Sequence, residues 1–201
     1  MKKLFVISAL ALFGLANAQI EKGTWLIEGK TGLGFNNVST QLKKGNESID
    51  GPKVSTFSIS PNVGYFVADN LAIGLELNYL SITTKSKSYI GYRLTERSEE
   101  ESKNTLTLLP NLTYYFPTST NLKPYIGAGI GFGSITEKDW EGKETASGFA
   151  WGAKGGAVYM LNNSIAFNLG LSYGQLSLER NNITNKANTF GANAGISIFL
   201  K

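Results

Sequence analysis

The sequence contains no cysteine and no histidine. Without cysteine there is no disulfide framework, no thiolate nucleophile and no Cys-ligated zinc, and without histidine there is no Ser-His-Asp mechanism and no His-bound metal. Most familiar hydrolases are excluded on these grounds. Charge is also sparse: Asp, Glu, Lys and Arg make up 17% of the 201 residues, while the apolar fraction of 42% is ordinary. Soluble domains carry roughly 25% charged residues, so charge has been kept off much of the surface. The formal net charge of +4 includes Lys2 and Lys3 of the leader described next, and without them the balance is close to even. Nothing in that balance points to nucleic acid.

Beyond the leader no stretch offers eighteen uninterrupted apolar residues, so no membrane-spanning helix is predicted there. The leader itself, MKKLFVISALALFGLANA, has two lysines, an apolar run from Leu4 to Leu15 and the small-x-small triplet Ala16-Asn17-Ala18. This is the pattern of a secretory signal cut before Gln19, and its apolar run falls short of the roughly twenty residues a spanning helix requires. The division expected is a cleaved signal over residues 1–18 and one domain over 19–201. No Cys follows the cleavage triplet, so a lipid anchor is not expected.

What is present is alternation. From Trp25 every second residue reads Trp25, Ile27, Gly29, Thr31, Leu33, Phe35, and the intervening set is Leu26, Glu28, Lys30, Gly32, Gly34. Seven further segments split the same way. Their greasy faces are Phe57 to Tyr65, Leu71 to Tyr79, Leu106 to Tyr114, Ile126 to Phe132, Phe149 to Tyr159, Ile165 to Tyr173 and Phe190 to Ile198. Period two is the signature of strands with two unlike faces. None of these greasy positions is charged, whereas Glu28, Lys30, Glu76 and Lys154 all fall on the opposite face.

The connections alternate as well. About seventeen residues follow from Asn37, about twenty from Thr84 and about a dozen from Thr136, whereas the intervening turns are Val67-Ala68-Asp69-Asn70, Pro-Thr-Ser-Thr-Asn at 117–121 and Leu161-Asn162-Asn163. Bacterial membrane barrels have this asymmetry, with short periplasmic turns and longer outer loops. Aromatic residues gather at strand ends, as interfacial girdles do. Trp25, Tyr65, Tyr114, Tyr125 and Tyr159 lie by the short turns, and Phe35, Tyr79, Phe132, Phe149, Trp151, Tyr173 and Phe190 toward the loops. Eleven residues at about 3.3 Å each, tilted near 45°, span roughly 25 Å, the height of an outer-membrane apolar band. The fold predicted is all-β: an eight-stranded antiparallel up-and-down transmembrane β-barrel. The reverse arrangement is a soluble lipocalin-type barrel with the greasy face inward and Glu28 and Glu76 in water.

The segments PNVGYFVADNLAIGLELNY (61–79) and KPYIGAGIGFG (123–133) resemble the small outer-membrane β-barrel family of Gram-negative bacteria, the OmpA/OmpX-like group, and the resemblance covers the whole mature chain. It implies export to the outer membrane, contact with outer-membrane lipid and lipopolysaccharide, and insertion by the outer-membrane assembly machinery. The last strand is similar to the family's assembly signal at Asn193, Gly195, Ile198 and Leu200. It departs from the family at its end, because the chain finishes Leu200-Lys201 with its aromatic residue, Phe199, in the opposite phase.

An eight-stranded barrel has an interior that side chains just fill. Glu28, Lys30, Glu76 and Lys154 would then share a narrow lumen, where unpaired charge is costly, so an ion-pair network is expected, aided by Asn62, Asn78, Asn111, Asn168 and Asn193. The same four residues also fit a gate or selectivity site. Phe66, Leu80, Leu109, Val158, Met160 and Phe199 share the inward phase and favour a blocked lumen. Glycines 127, 129, 131 and 133 do not give Gly-x-Gly-x-x-Gly and read as steric relief.

In the second loop, Ser-Tyr-Ile-Gly-Tyr-Arg is followed by Glu96, Arg97 and Glu99-Glu100-Glu101. Such a segment fits a solvated loop or a strand pair rising beyond the membrane, divalent-cation or lipopolysaccharide bridging, or, with Tyr89, Tyr92 and Trp140, an adhesive surface. The reading as a whole is a monomeric, non-enzymatic outer-membrane barrel without cofactor or metal, structural or surface-interacting. The alternative is a narrow porin-like channel for small solutes or apolar molecules. A lipid-modifying enzyme would need a site working without histidine.

Overall fold

The computed structural model describes residues 20–32, 37–44, 47–89, 96–140, 142–180 and 183–201. The leader, Leu33, Phe35 and Tyr92 lie outside them. The described residues form nine strands and no helix: β1 (Trp25–Gly32), β2 (Asn37–Lys44), β3 (Glu47–Ala68), β4 (Leu71–Tyr89), β5 (Glu96–Tyr115), β6 (Leu122–Lys138), β7 (Lys143–Met160), β8 (Ile165–Arg180) and β9 (Ile183–Leu200). All neighbours pair antiparallel. β1 pairs with the later half of β3, from Thr31↔Ile59 to Trp25↔Tyr65, and β2 pairs with its earlier half, from Lys44↔Glu47 to Asn37↔Ser55. Nine strands therefore fill eight positions, and pairing of β1 with β9 closes the barrel.

Paired residues followed round the barrel from Trp25 lead through Tyr65, Ile73, Leu112, Ala128, Ala153 and Tyr173 to Phe190, yet the β9 partner of Trp25 is Leu200. This ten-residue stagger tilts every strand across the barrel wall. No described helix is long and apolar enough to cross a membrane; any crossing is made by strands.

The alternation sorts as expected for a membrane barrel. Ile130, Phe132, Leu169 and Phe190 face outward and are 61–74% exposed, whereas Glu28 is 3% exposed. This overturns the lipocalin-type arrangement, in which the greasy face would be buried. Trp25, Tyr65, Tyr114 and Tyr159 stand on the outer wall beside the turns, but Tyr125 does not. It precedes outward Ile126, so it shares the inward phase of Gly127 and is buried in the lumen at 3% exposure.

The turns at one end are short: Asp69-Asn70, residues 116–121 and residues 161–164. Asn70 takes φ 66°, a left-handed conformation that Asn tolerates, and Asn162 Oδ1 accepts hydrogen bonds from the backbone of Ser164 and Ile165 at 2.8 Å each. At the other end, much of what the sequence suggests as loop is paired strand. β2 and β3 pair as far as Lys44↔Glu47, β4 and β5 as far as Tyr89↔Glu96, and β6 and β7 as far as Lys138↔Lys143. Once a register is set in the wall, each further pair adds ladder bonds at little entropic cost, so the strands run on beyond their apolar stretch. Trp140, at the tip between β6 and β7, is 69% exposed.

Candidate functional site

The inward residues fill the lumen in three layers. Beside the turns, Leu26, Phe66, Ala72, Tyr115, Tyr125, Val158, Ala166 and Phe199 form an apolar floor. Ring centroids lie 5.6 Å apart for Phe66–Tyr115 and for Tyr115–Tyr125, and 6.1 Å apart for Phe66–Phe199, within the range of favourable aromatic pairing. Ile20 packs against this floor, and the segment before β1 is tied across the mouth by Gly23 N to Phe66 O at 2.8 Å, Lys22 N to Asp69 Oδ1 at 2.9 Å and Lys201 Nζ to Glu21 Oε2 at 3.0 Å.

Above the floor lies the charged layer. Lys30 Nζ is 3.2 Å from Glu28 Oε2 and 3.7 Å from Glu76 Oε2, and Lys154 Nζ is 2.6 Å from the same Glu76 oxygen. Glu28 is the hub. Asn62 Nδ2 donates to its Oε2 at 2.7 Å, while Asn168 Nδ2 at 2.9 Å, Ser197 Oγ at 3.0 Å and the Tyr115 hydroxyl at 3.4 Å donate to its Oε1. Asn111 extends the network by donating to Asn62 Oδ1 at 3.1 Å, and the Tyr125 hydroxyl donates to Asn168 Oδ1 at 2.8 Å. Lys30 Nζ also sits 5.8 Å from the Tyr125 ring centroid, within cation–π range. A carboxylate accepts four or more such bonds only where donors converge from several strands. Here they come from β1, β3, β5, β8 and β9.

A second apolar layer, Leu109, Ile135, Ala150 and Leu176, covers the charges on the loop side. Glycines give these bulky groups their room. A Cβ on Gly127 would stand 3.0 Å from Lys154 Cε, and one on Gly133 would stand 3.2 Å from Leu176 Cδ1.

All four charged residues named from the sequence thus meet in one cluster with Asn62, Asn111 and Asn168. Asn78 is elsewhere, donating to Thr107 Oγ1 at 3.3 Å. Asn193 donates to Ser172 Oγ at 3.4 Å, and its own Oδ1 is buried with no partner among the described residues. Of the inward apolar residues, Phe66, Leu109, Val158 and Phe199 are buried and Leu80 and Met160 half-buried. Along β9, Gly195 is pressed against the Gly29 carbonyl in the closing seam, Ile198 pairs with Ile27 on the outward phase, and Leu200 pairs with Trp25. Sequence reading missed Tyr115, Ser197 and Thr113, whose hydroxyl donates to Asn111 Oδ1 at 3.3 Å, although each lies one residue from a greasy-face position and is inward by parity. Among the described residues no cluster of ligating side chains is placed to hold a metal ion.

Substituting Lys154 with Met is expected to lower the unfolding free energy by about 1–3 kcal/mol, since Glu76 loses its shorter partner but keeps Lys30. Urea titration of the barrel in phospholipid vesicles measures this, and an unchanged midpoint would count against the network.

A closed wall, greasy outward to about the height of a membrane core and packed inside with paired charge, defines a small integral-membrane β-barrel. The comparisons with known proteins give the family. Residues 5–197 match the outer membrane protein beta-barrel domain, and the chain belongs to that family, which places it in the bacterial outer membrane. Among solved structures it is similar to the N-terminal β-barrel domain of Pseudomonas aeruginosa OprF, with TM-score 0.52 and 13% identity over 90% of this chain and 99% of that one. It is also similar to Neisserial surface protein A (NspA), with TM-score 0.53 and 14% identity over 90% and 99%. At such identity the likeness is one of fold. No curated protein matches the chain by sequence.

Proposed function

We propose that this protein is a non-enzymatic, monomeric outer-membrane barrel with a structural or surface-interaction role and a lumen closed to solutes. The observation that carries the reading is the three-layer filling of the lumen. The Glu28, Lys30, Glu76 and Lys154 side chains are no more than 13% exposed and paired with one another, between apolar layers on both sides. Groups so engaged are not presented to a substrate, and no cysteine or histidine is available elsewhere. Residues 1–18 direct export, and Asn193, Gly195, Ile198 and Leu200 are read by the assembly machinery. Interaction falls to the strand ends beyond the membrane, where Trp140 is exposed.

Planar-bilayer recording at neutral pH tests the closed lumen, with a heat-modifiable gel shift reporting that the barrel is folded. A folded barrel is expected to be silent. Discrete ion-selective steps would overturn the reading and make the four charged residues a permeation site.

A further inference from the structure

Above the charged layer the lumen is filled on one side only. The loop-side apolar layer, Leu109, Ile135, Ala150 and Leu176, is rooted on β5, β6, β7 and β8. Glycines facing it have no room to spare: a Cβ on Gly129 would stand 3.0 Å from Asn111 Cβ, and one on Gly133 would stand 2.6 Å from Thr107 Cγ2. Across the barrel the opposite holds. A Cβ on Gly191 would meet nothing within 4 Å, and one on Gly174 would meet only the Trp151 carbonyl oxygen, at 3.8 Å. Both glycines are inward by parity, next to outward Phe190 and Tyr173, so the open space lies in the lumen. Ser58, Ser60, Ser172 and Asn193 share the inward phase and are half-buried, whereas Glu28 and Lys30 beneath them are buried. At the base of the space Asn193 Nδ2 reaches Ser172 Oγ at a long 3.4 Å, and the buried Asn193 Oδ1 has no partner among the described residues.

We propose that Ser58, Ser60, Ser172, Gly174, Gly191 and Asn193 line a blind vestibule that binds a small, uncharged, polyhydroxylated solute of monosaccharide size. The vestibule opens toward the loops and is shut at the charged layer. From Asn193 to Thr189, which is exposed, four residues at about 3.3 Å each, tilted near 45°, give a depth of roughly 9 Å. Over that depth no inward side chain of the described strands is charged, and the four charges below are spent on one another. An ion leaving water would find no counter-charge on this wall. Serine hydroxyls and an amide both donate and accept hydrogen bonds, as the hydroxyls of a polyol do. A solute hydroxyl also supplies the donor that Asn193 Oδ1 lacks. Opposite, Leu109 and Leu176 offer an apolar surface to the C–H face of a sugar ring. Side chains just fill an eight-stranded lumen, so space for one ring arises only where they are reduced to Gly and Ser. The inference rests on the closed-lumen reading: closure lies at the charged layer and the floor, and the solute enters and leaves by one mouth.

The chain has no cysteine, so a single introduced thiol reports access without background. Gly191→Cys and Gly174→Cys place it in the vestibule, Ala166→Cys in the buried floor and Trp140→Cys at the exposed tip. Each full-length barrel is folded in detergent micelles, with the heat-modifiable gel shift reporting folding. Methyl methanethiosulfonate, which caps a thiol as its methyl disulfide, is expected to react at least about a hundredfold faster at positions 191 and 174 than at 166. D-glucose is expected to slow the reaction saturably at 191 and 174 and to leave 140 unchanged, whereas glycine betaine, a zwitterion, is expected to slow none of them. Adding Asn193→Leu is expected to weaken the protection by glucose about two- to tenfold, the equivalent of one hydrogen bond. Rates at 191 and 174 as slow as at 166 would overturn the vestibule. Absence of protection by glucose, equal slowing at 140, or equal protection by betaine would overturn the ligand class, and full protection in the Asn193→Leu background would remove Asn193 from the site. Rapid reaction at 166 would instead count against the closed floor, and so against the closed-lumen reading itself.

Discussion

Glu28→Leu is expected to destabilise the barrel by about 3–5 kcal/mol, the usual cost of removing one partner from a buried ion pair. Leucine fills comparable volume, so the loss is electrostatic in origin. Lys30, itself 4% exposed, would keep the longer ion pair with Glu76 at 3.7 Å and the Tyr125 ring at 5.8 Å. Asn62, Asn168, Ser197 and Tyr115 would each hold a buried donor without its acceptor, and each such group carries its own desolvation cost. Glu28→Gln separates the contributions: the amide keeps an oxygen for some donors but brings two hydrogens where donors already converge. It is expected to fall between leucine and wild type. Urea unfolding in vesicles, monitored by tryptophan emission, measures both. A leucine variant as stable as wild type would mean that the hub is a dispensable polar filling, as some buried charge clusters are.

Phe66→Ala is the second large effect, at about 3–5 kcal/mol for a fully buried aromatic residue truncated in a packed layer. Phe66 touches both Tyr115 and Phe199, and its backbone bonds to Gly23 and Thr24 tie down the segment before β1. The void would open beneath a ring whose hydroxyl supports Glu28, so floor and charged layer are expected to loosen together, and the Phe66→Ala/Glu28→Leu pair to be non-additive. Phe132→Ala is the control. That ring is 74% exposed on the outer wall, where lipid chains take the place of the lost side chain and no cavity forms. Equal losses at positions 66 and 132 would show that the lumen floor is not a packed core.

The phase of each strand was legible residue by residue, because the side-chain period of a strand is two and admits no drift. Thus parity alone makes Phe199 inward, and the structure packs it against Phe66 and Tyr115. The assignment of Tyr125 to the girdle failed where nearness to a turn was allowed to outweigh parity. Loop lengths were overestimated for a different reason, although for the second loop the sequence also allowed a strand pair rising beyond the membrane, which β4 and β5 form as far as Tyr89↔Glu96. Beyond the membrane there is no apolar face to alternate against, so pairing such as Lys85↔Glu100 or Thr136↔Thr145 leaves no hydropathy signal, although the ladder continues.

By itself the sequence determined which side chains face lipid and which face the lumen, how many apolar segments build the wall, and at which end the chain turns tightly. These follow from local sterics and the hydrophobic contrast between two faces. Only the tertiary structure decided which inward residues meet. Glu28 bonds to Asn168 across 140 residues and Lys154 to Glu76 across 78, and no spacing in the chain encodes either contact. The ten-residue stagger around the closed barrel sets both, because it fixes the height at which each strand presents its lumen side chains, and that stagger exists only once β1 has paired with β9.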